Sequence, residues 1–371
     1  MKIEKSILLT VWIIFCLVCL LASVDIISAA DNIAVDIIKK CDANLIVTNH
    51  IQYNFKSETT TVLPTVEHKR VKQGVVCRDG GKIDIRNELS IYENNKIIDK
   101  YPEENIVADN YAIYNHIYPT KSPNRITVIA ADKKKSEISP LGTSGTGYAL
   151  DGNIEDTMRF TDIMLSEPDK IEKIGEEAID GFSCAKIKSA TKYGLIVAWI
   201  DINNGYVARK VTCFRDANTV NENGEKYIVQ PDVVTSFLFT NENSDFVKIG
   251  SNYIAIKGTC TVERNDSDKT TTKMVTRCER DKIVLSPDFT GKNLFNAAHL
   301  KDELVNNHDD RKSGVLYVWD GEKSIPYVEE IRGEVVLPQS QGIGRLVTLI
   351  VAICVLLLAI GILIRLKLKQ I

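Results

Sequence analysis

Histidine is scarce in this chain, with five residues among 371: His50, His68, His116, His299 and His308. None sits in His-Glu-x-x-His, and no pair has the spacing of a metal site on a helix, so a metalloprotease of that type is excluded. Gly-x-Ser-x-Gly is missing as well; Gly142-Thr143-Ser144-Gly145 fails the spacing that a serine nucleophile elbow needs. No Gly-Lys-Ser/Thr follows Gly142, Gly145 and Gly147, which excludes a phosphate-binding loop. Asp151-x-Asn153-x-Glu155 opens like a calcium loop but lacks its glycine and its closing glutamate, and reads as a helix start. An excess of basic charge is lacking too. There are 46 Lys and Arg against 49 Asp and Glu, and Arg345, Arg365, Lys367 and Lys369 crowd one end. The middle is therefore acidic, which argues against nucleic-acid binding. No catalytic residue, metal ligand or cofactor emerges, and the chain is expected not to be an enzyme.

Apolar residues make up 44% and charged residues 26%, the balance of an ordinary globular protein rather than a disordered, fibrous or polytopic membrane chain. The ends differ from this average. A charged start, Met1 to Lys5, precedes an uncharged run from Ile7 to Val24 and then Ser28-Ala29-Ala30. Residues 1–30 read as a signal peptide cut before Asp31, or, because the run is long, as an uncleaved anchor. Phe15 and Val18 ahead of Cys16 and Cys19 reject a lipoprotein box. Leu346 to Ile364 carries no charge over 19 residues, enough at 1.5 Å per residue to cross a bilayer core as a transmembrane helix. The basic tail, 365–371, then lies in the cytoplasm by the positive-inside rule. The expected setting is a bacterial inner membrane, single-pass, with residues 31–341 facing the periplasm or the outside.

Residues 31–341 read as strand after strand. Ile83, Ile85, Leu89 and Ile91 share one face, with Lys82, Asp84 and Arg86 on the other, and Asp79-Gly80-Gly81 makes the preceding turn. Gly181 to Asp216 reads as a three-strand meander turning at Tyr193-Gly194 and at Asn203-Asn204-Gly205. Further strands are expected at 50–59, 66–77, 105–117, 125–131, 227–240, 246–263, 271–285 and 314–320. Helices are few. Residues 32–46 place Ile33, Ile37, Ile38, Cys41 and Leu45 on one stripe, and 153–166 and 293–305 are weaker candidates. The stretch 132–147, with three lysines and three glycines, reads as a surface loop or linker.

Nine cysteines minus Cys16, Cys19 and Cys354 in the apolar ends leave Cys41, Cys77, Cys184, Cys213, Cys260 and Cys278. In the meander, Cys184 and Cys213 fall about eight residues apart along the central strand, roughly 26 Å, too far for a disulfide. Cys260 and Cys278 flank the polar loop Asn265 to Lys269. A hairpin centred at 269 sets them opposite; one centred nearer 267 misses by a few residues. They are the disulfide candidate.

An opening helix followed by Ile51-Gln52-Tyr53-Asn54-Phe55 resembles the LolA-like lipoprotein-carrier superfamily, which includes the RseB-type envelope sensors. So do Val76-Cys77-Arg78-Asp79-Gly80-Gly81-Lys82-Ile83-Asp84-Ile85-Arg86 and Gly181-Phe182-Ser183-Cys184-Ala185-Lys186-Ile187. Ala198-Trp199-Ile200-Asp201, Tyr206 to Lys210, and Ile283 to Phe289 followed by Leu294-Phe295 complete the likeness. The resemblance implies a mainly β fold: an open, strongly curved antiparallel half-barrel with short covering helices. It also implies an apolar cavity for a lipid, an acyl chain or an acylated protein. Tyr53, Phe55, Trp199, Phe237 and Phe239 are the candidate ligand-binding residues. This chain is longer than the soluble carriers and carries its own apolar C-terminal run, which favours a sensor, scaffold or local lipid-binding role over free carriage. The alternative is a structural or protein-interaction domain whose aromatics simply fill the core, since a half-barrel and a packed sandwich share the same alternation.

Overall fold

The computed structural model describes residues 33–62, 67–109, 111–116, 125–130, 146–154, 158–221, 224–307, 317–326, 330–331 and 334–335. Two antiparallel meanders make the fold. The first runs through β1 (His50–Val62), β2 (Glu67–Asp79), β3 (Lys82–Glu93), β4 (Lys96–Val107), β5 (Tyr111–His116) and β6 (Arg125–Ala130). The second runs through β7 (Ile171–Ile179), β8 (Phe182–Thr191), β9 (Gly194–Asp201), β10 (Val207–Asp216), β11 (Val234–Ile249), β12 (Asn252–Asp266) and β13 (Thr271–Leu285). β13 pairs with β1, with Ile51 opposite Leu285 and Val62 opposite Lys273. β14 (Leu304–Asn307) adds parallel to β6 and is followed by β15 (Tyr317–Trp319) and β16 (Ser324–Pro326). The result is one open sheet of 16 strands, from β16 at one edge to β7 at the other. β17 (Glu330–Ile331) and β18 (Glu334–Val335) form a separate small hairpin.

Helix α1 covers 33–46. Ala34, Ile37, Ile38 and Cys41, at i, i+3, i+4 and i+7, are its buried stripe, while Ile33 at the helix start is exposed. They pack with α3 (Phe160–Ser166) on Ala185, Ile187, Ile196, Ala198, Ile200, Val211 and Phe239 of the second meander. Burial stabilises by about 1.5–3 kcal/mol for each large apolar side chain. This defines the inner face of the sheet. The outer face of β4–β6 has its own cover: Ile106, Ile113, Ile126 and Val128 pack under Ala297, Leu300, Val305 and Trp319.

Between α1 and α3 lies α2 (Thr146–Leu150), seated on β11–β13. Gly258 makes this possible, because a Cβ there would stand 2.2 Å from the Ala149 carbonyl oxygen. The β12–β13 ladder ends at Lys257 opposite Glu279, and the strands part beyond it. Side chains fill the fork. Asn44 of α1 donates to the Tyr253 carbonyl at 2.8 Å and accepts from the Tyr253 amide at 3.0 Å, the two bonds a neighbouring strand would make. Arg280 donates to the Ala255 carbonyl and pairs with Asp151 at 2.8 Å, both side chains being almost wholly buried.

The long open β sheet with few helices agrees with the expected fold class; its transmembrane helix is corrected. Among the described residues no helix is long and apolar enough to cross a membrane, and 346–364 lies outside those residues, as do 1–30 and 365–371. Several element boundaries also change. Residues 105–117 are not one strand: β4 turns into β5 at Ala108, whose amide bonds the Tyr111 carbonyl at 2.9 Å. Among the described residues of 153–166, helix covers Phe160–Ser166 alone. Residues 293–305 hold one 3-10 turn, Ala298–Leu300, and then β14, with Phe295 and Asp302 in the left-handed region that a helix cannot use. The second meander gains β7, and the strands expected at 227–240 and 246–263 are shifted along the chain to β11 and β12, which turn at Gly250.

The expected Cys260–Cys278 bridge is absent. The hairpin places Cys260 opposite Thr276 and Cys278 opposite Gly258, a slip of two residues, and both are buried free thiols.

Candidate functional site

Alternation sends Thr59 of β1, Arg70 and Lys72 of β2, Leu89 and Ile91 of β3, and Tyr101 and Glu103 of β4 to the same face, as their registers require. Phe237 and Phe239 of β11, Cys260 and Val262 of β12, and Met274 and Thr276 of β13 share that face. Together with Tyr148 of α2 and Tyr227 they line a cavity of about 570 Å³, within the roughly 300–1,000 Å³ of ordinary ligand pockets. Tyr101 and Phe239 stand six strands apart in the sheet order, about 29 Å along a flat sheet. That both line one cavity shows how strongly the sheet bends.

The lining has two characters. Opposite β2 the wall is apolar and aromatic. Tyr227 meets Phe237 edge-on at 5.4 Å and Phe239 at 6.2 Å, and Val262 and Met274 continue the surface. Tyr227 comes from the excursion between β10 and β11, which folds back so that its amide bonds the Thr219 carbonyl at 3.1 Å. The Arg215 guanidinium backs its ring at 4.2 Å. The β2 wall is cationic. Lys72 pairs with the buried carboxylate of Glu103 at 2.7 Å, and the Asn87 side-chain amide donates to the same oxygen at 3.0 Å. Burial gives the cavity a direction. Leu89, Tyr101, Phe239, Cys260 and Thr276 are buried, whereas Arg70 is exposed and Met274 is 38% exposed. The first set is the floor and the second the mouth.

Of the five aromatic candidates, Phe237 and Phe239 line this cavity. Tyr53 and Phe55 are core instead, packed with Ile51, Val76, Ile83 and Ile85. The Tyr53 hydroxyl donates to Thr146 Oγ1 at 3.0 Å, and the Arg280 guanidinium lies 5.2 Å from its ring. Trp199 is on the outer face. Its indole N–H donates to Glu177 at 3.0 Å, and its ring lies between the ammonium groups of Lys186 and Lys210, at 5.0 and 5.7 Å. Its neighbours Ile196, Ala198 and Ile200 take the inner face. Tyr101, Tyr148, Tyr227, Leu89, Ile91 and Met274 were not singled out by the sequence; only the shared face of Leu89 and Ile91 was a readable signal. Among the described residues no group of three or more His, Cys, Asp or Glu side chains is placed to hold a metal ion.

No family model matches the chain, and no curated protein matches it. Among solved structures it is similar to a DUF1329 family protein from Desulfovibrio piger, at 12% identity over 69% of this chain and 93% of that one, with a TM-score of 0.34. The Pseudomonas aeruginosa MucA/MucB complex is similar at 9% identity, over 69% and 99%, with a TM-score of 0.20. A β-barrel-like protein of domain of unknown function DUF1849 from Brucella abortus is similar at 8% identity, over 64% and 98%, with a TM-score of 0.22. The functional reading rests on the cavity and not on these likenesses.

Proposed function

We propose that this protein binds an amphiphile with a long apolar chain, a lipid or an acylated molecule, in the cavity between the two meanders. The observation that carries the reading is the aromatic wall of Tyr227, Phe237 and Phe239 facing Leu89, Ile91 and Tyr101 across about 570 Å³. Apolar surface of this kind left uncovered costs free energy that an acyl chain recovers on entry. The setting we propose is the bacterial envelope, outside the cytoplasm, where such molecules are at hand. The role is binding rather than catalysis.

The test is titration of the full chain with a fluorescent fatty-acid probe, each variant carrying its own melting curve. Saturable one-site binding is expected. Phe237→Ala should weaken it about tenfold, the loss of a partly buried aromatic contact, and Val262→Trp should fill the cavity and abolish it. Trp199→Ala should leave it unchanged. A well-folded chain with no saturable binding overturns the proposal.

A further inference from the structure

The mouth of the cavity carries a charge, that of Arg70, with no ion-pair partner among the described residues. Within β2, residues at two-residue spacing point inward, so Arg70 and Lys72 stand one above the other on the cavity wall. Lys72, at the floor, is neutralised by Glu103 at 2.7 Å. Arg70, at the mouth, pairs with no carboxylate among the described residues. Its directly facing neighbours are Thr59 on β1 and Ile91 on β3, which are uncharged. The nearby Lys69 engages Glu58 at 2.8 Å, and Arg264 of β12 is engaged by Asp266 at 2.7 Å. Among the described residues the lining therefore joins an apolar wall, a closed ion pair at depth and, at the entrance, a guanidinium with no carboxylate partner. A guanidinium presents a planar fork of donors that matches a carboxylate or a phosphate.

We infer that the ligand is an anionic amphiphile: its chain lies along Phe239, Val262 and Leu89, and its carboxylate or phosphate head is held at the mouth by Arg70. This rests on the amphiphile-binding reading and adds the chemistry of the head. The Lys72–Glu103 pair sets the polarity of the entrance indirectly. Glu103, the one carboxylate among the described lining residues, is engaged by Lys72 and Asn87; Asp99, which faces Ile91 from β4, lies outside that lining.

Full chain should be titrated with single-chain amphiphiles of one chain length and four heads: carboxylate, phosphate monoester, alcohol and trimethylammonium. The anionic pair should bind about fivefold or more tightly than the alcohol, the scale of one partly exposed charged contact, with the advantage shrinking as salt rises. Arg70→Gln, at an exposed position, should erase that advantage and leave the alcohol's affinity in place. Met274→Glu, across the mouth, should weaken the anionic probes and favour the trimethylammonium one. A preference for carboxylate or for phosphate tells a free fatty acid from a phosphorylated lipid, and either supports the inference. Equal affinity for all four heads, or a preference for the cation in the unmodified chain, overturns the head-group assignment while the cavity reading stands. No saturable binding of any probe overturns both.

Discussion

At the scale of single residues, burial sets the chemistry. Desolvation pushes the Cys77 thiol up to about 11 and the Cys260 thiol up to about 12, and Cys41 and Cys278 higher still. A thiol that stays protonated is a poor nucleophile. In the native protein these four should resist iodoacetamide at neutral pH and react only after unfolding, which peptide mapping by mass spectrometry would read; fast native labelling of Cys278 would refute the packing of α2 over it. Asp84 is buried on the outer face, 3.1 Å from Arg86, which also reaches Glu104 at 3.1 Å. Desolvation raises its pKa above the ordinary carboxylate value. A raised folded pKa means that the native state holds the proton more tightly than the unfolded chain. The associated stability is full below the ordinary pKa and is lost as pH climbs through the raised one. Asp84→Asn should therefore gain on the parent as pH rises from acid to neutrality, in paired thermal melts at each pH; parallel melting-temperature profiles would contradict this. Single-residue roles were only partly legible. Alternation sorts a strand into two faces but does not say which is inner. Phe237 and Phe239 fell on the cavity side, while Trp199, amid apolar residues on both faces of β9, did not.

Elements were legible where their determinants are local. The β2–β3 turn at Gly80 and the β9–β10 turn at Gly205 have the left-handed glycines their sequences announce. β7 was hidden because, as an edge strand, it buries only Ile171 and shows no apolar alternation. Helix α2 was hidden because five residues rich in small side chains form a helix only when seated on Gly258 and bonded from elsewhere. Asn241 donates to the Tyr148 carbonyl, and Tyr53 to Thr146. The α2–α3 segment is anchored by the Asp151–Arg280 pair, and Arg159 donates to Asn49 at 2.6 Å. Arg280→Met alone leaves Asp151 buried without its partner and should cost about 3–5 kcal/mol, whereas Arg280→Met with Asp151→Leu should recover much of it. Urea unfolding of the three variants decides the point; a double variant as unstable as the single would show that the fork needs the charges themselves.

Seen whole, the molecule is a sheet with two free edges among its described strands. β7 is guarded by charge: Lys173 and Glu176 pair at 2.7 Å on its exposed side, and Gly175 shifts its register with β8. Such features discourage edge-to-edge pairing. Replacing Lys173 and Glu176 together with valine should give concentration-dependent association in light scattering, and a variant that stays as dispersed as the parent would assign the protection to the bulge alone. Curvature was expected from the family resemblance alone and not from any local pattern, since it depends on β1 meeting β13, a pairing with no local signal. That same seam has a consequence for how the molecule is made. Ribosomal synthesis delivers β1 early and β13 only as the last strand of the second meander. Until Leu285 is available to lie against Ile51, the two halves each expose a long unsatisfied edge, and loop closure across the entire intervening chain must precede the gain in contacts. Folding should thus be slow at its last step, and the interval before it is when a holding chaperone has most to protect.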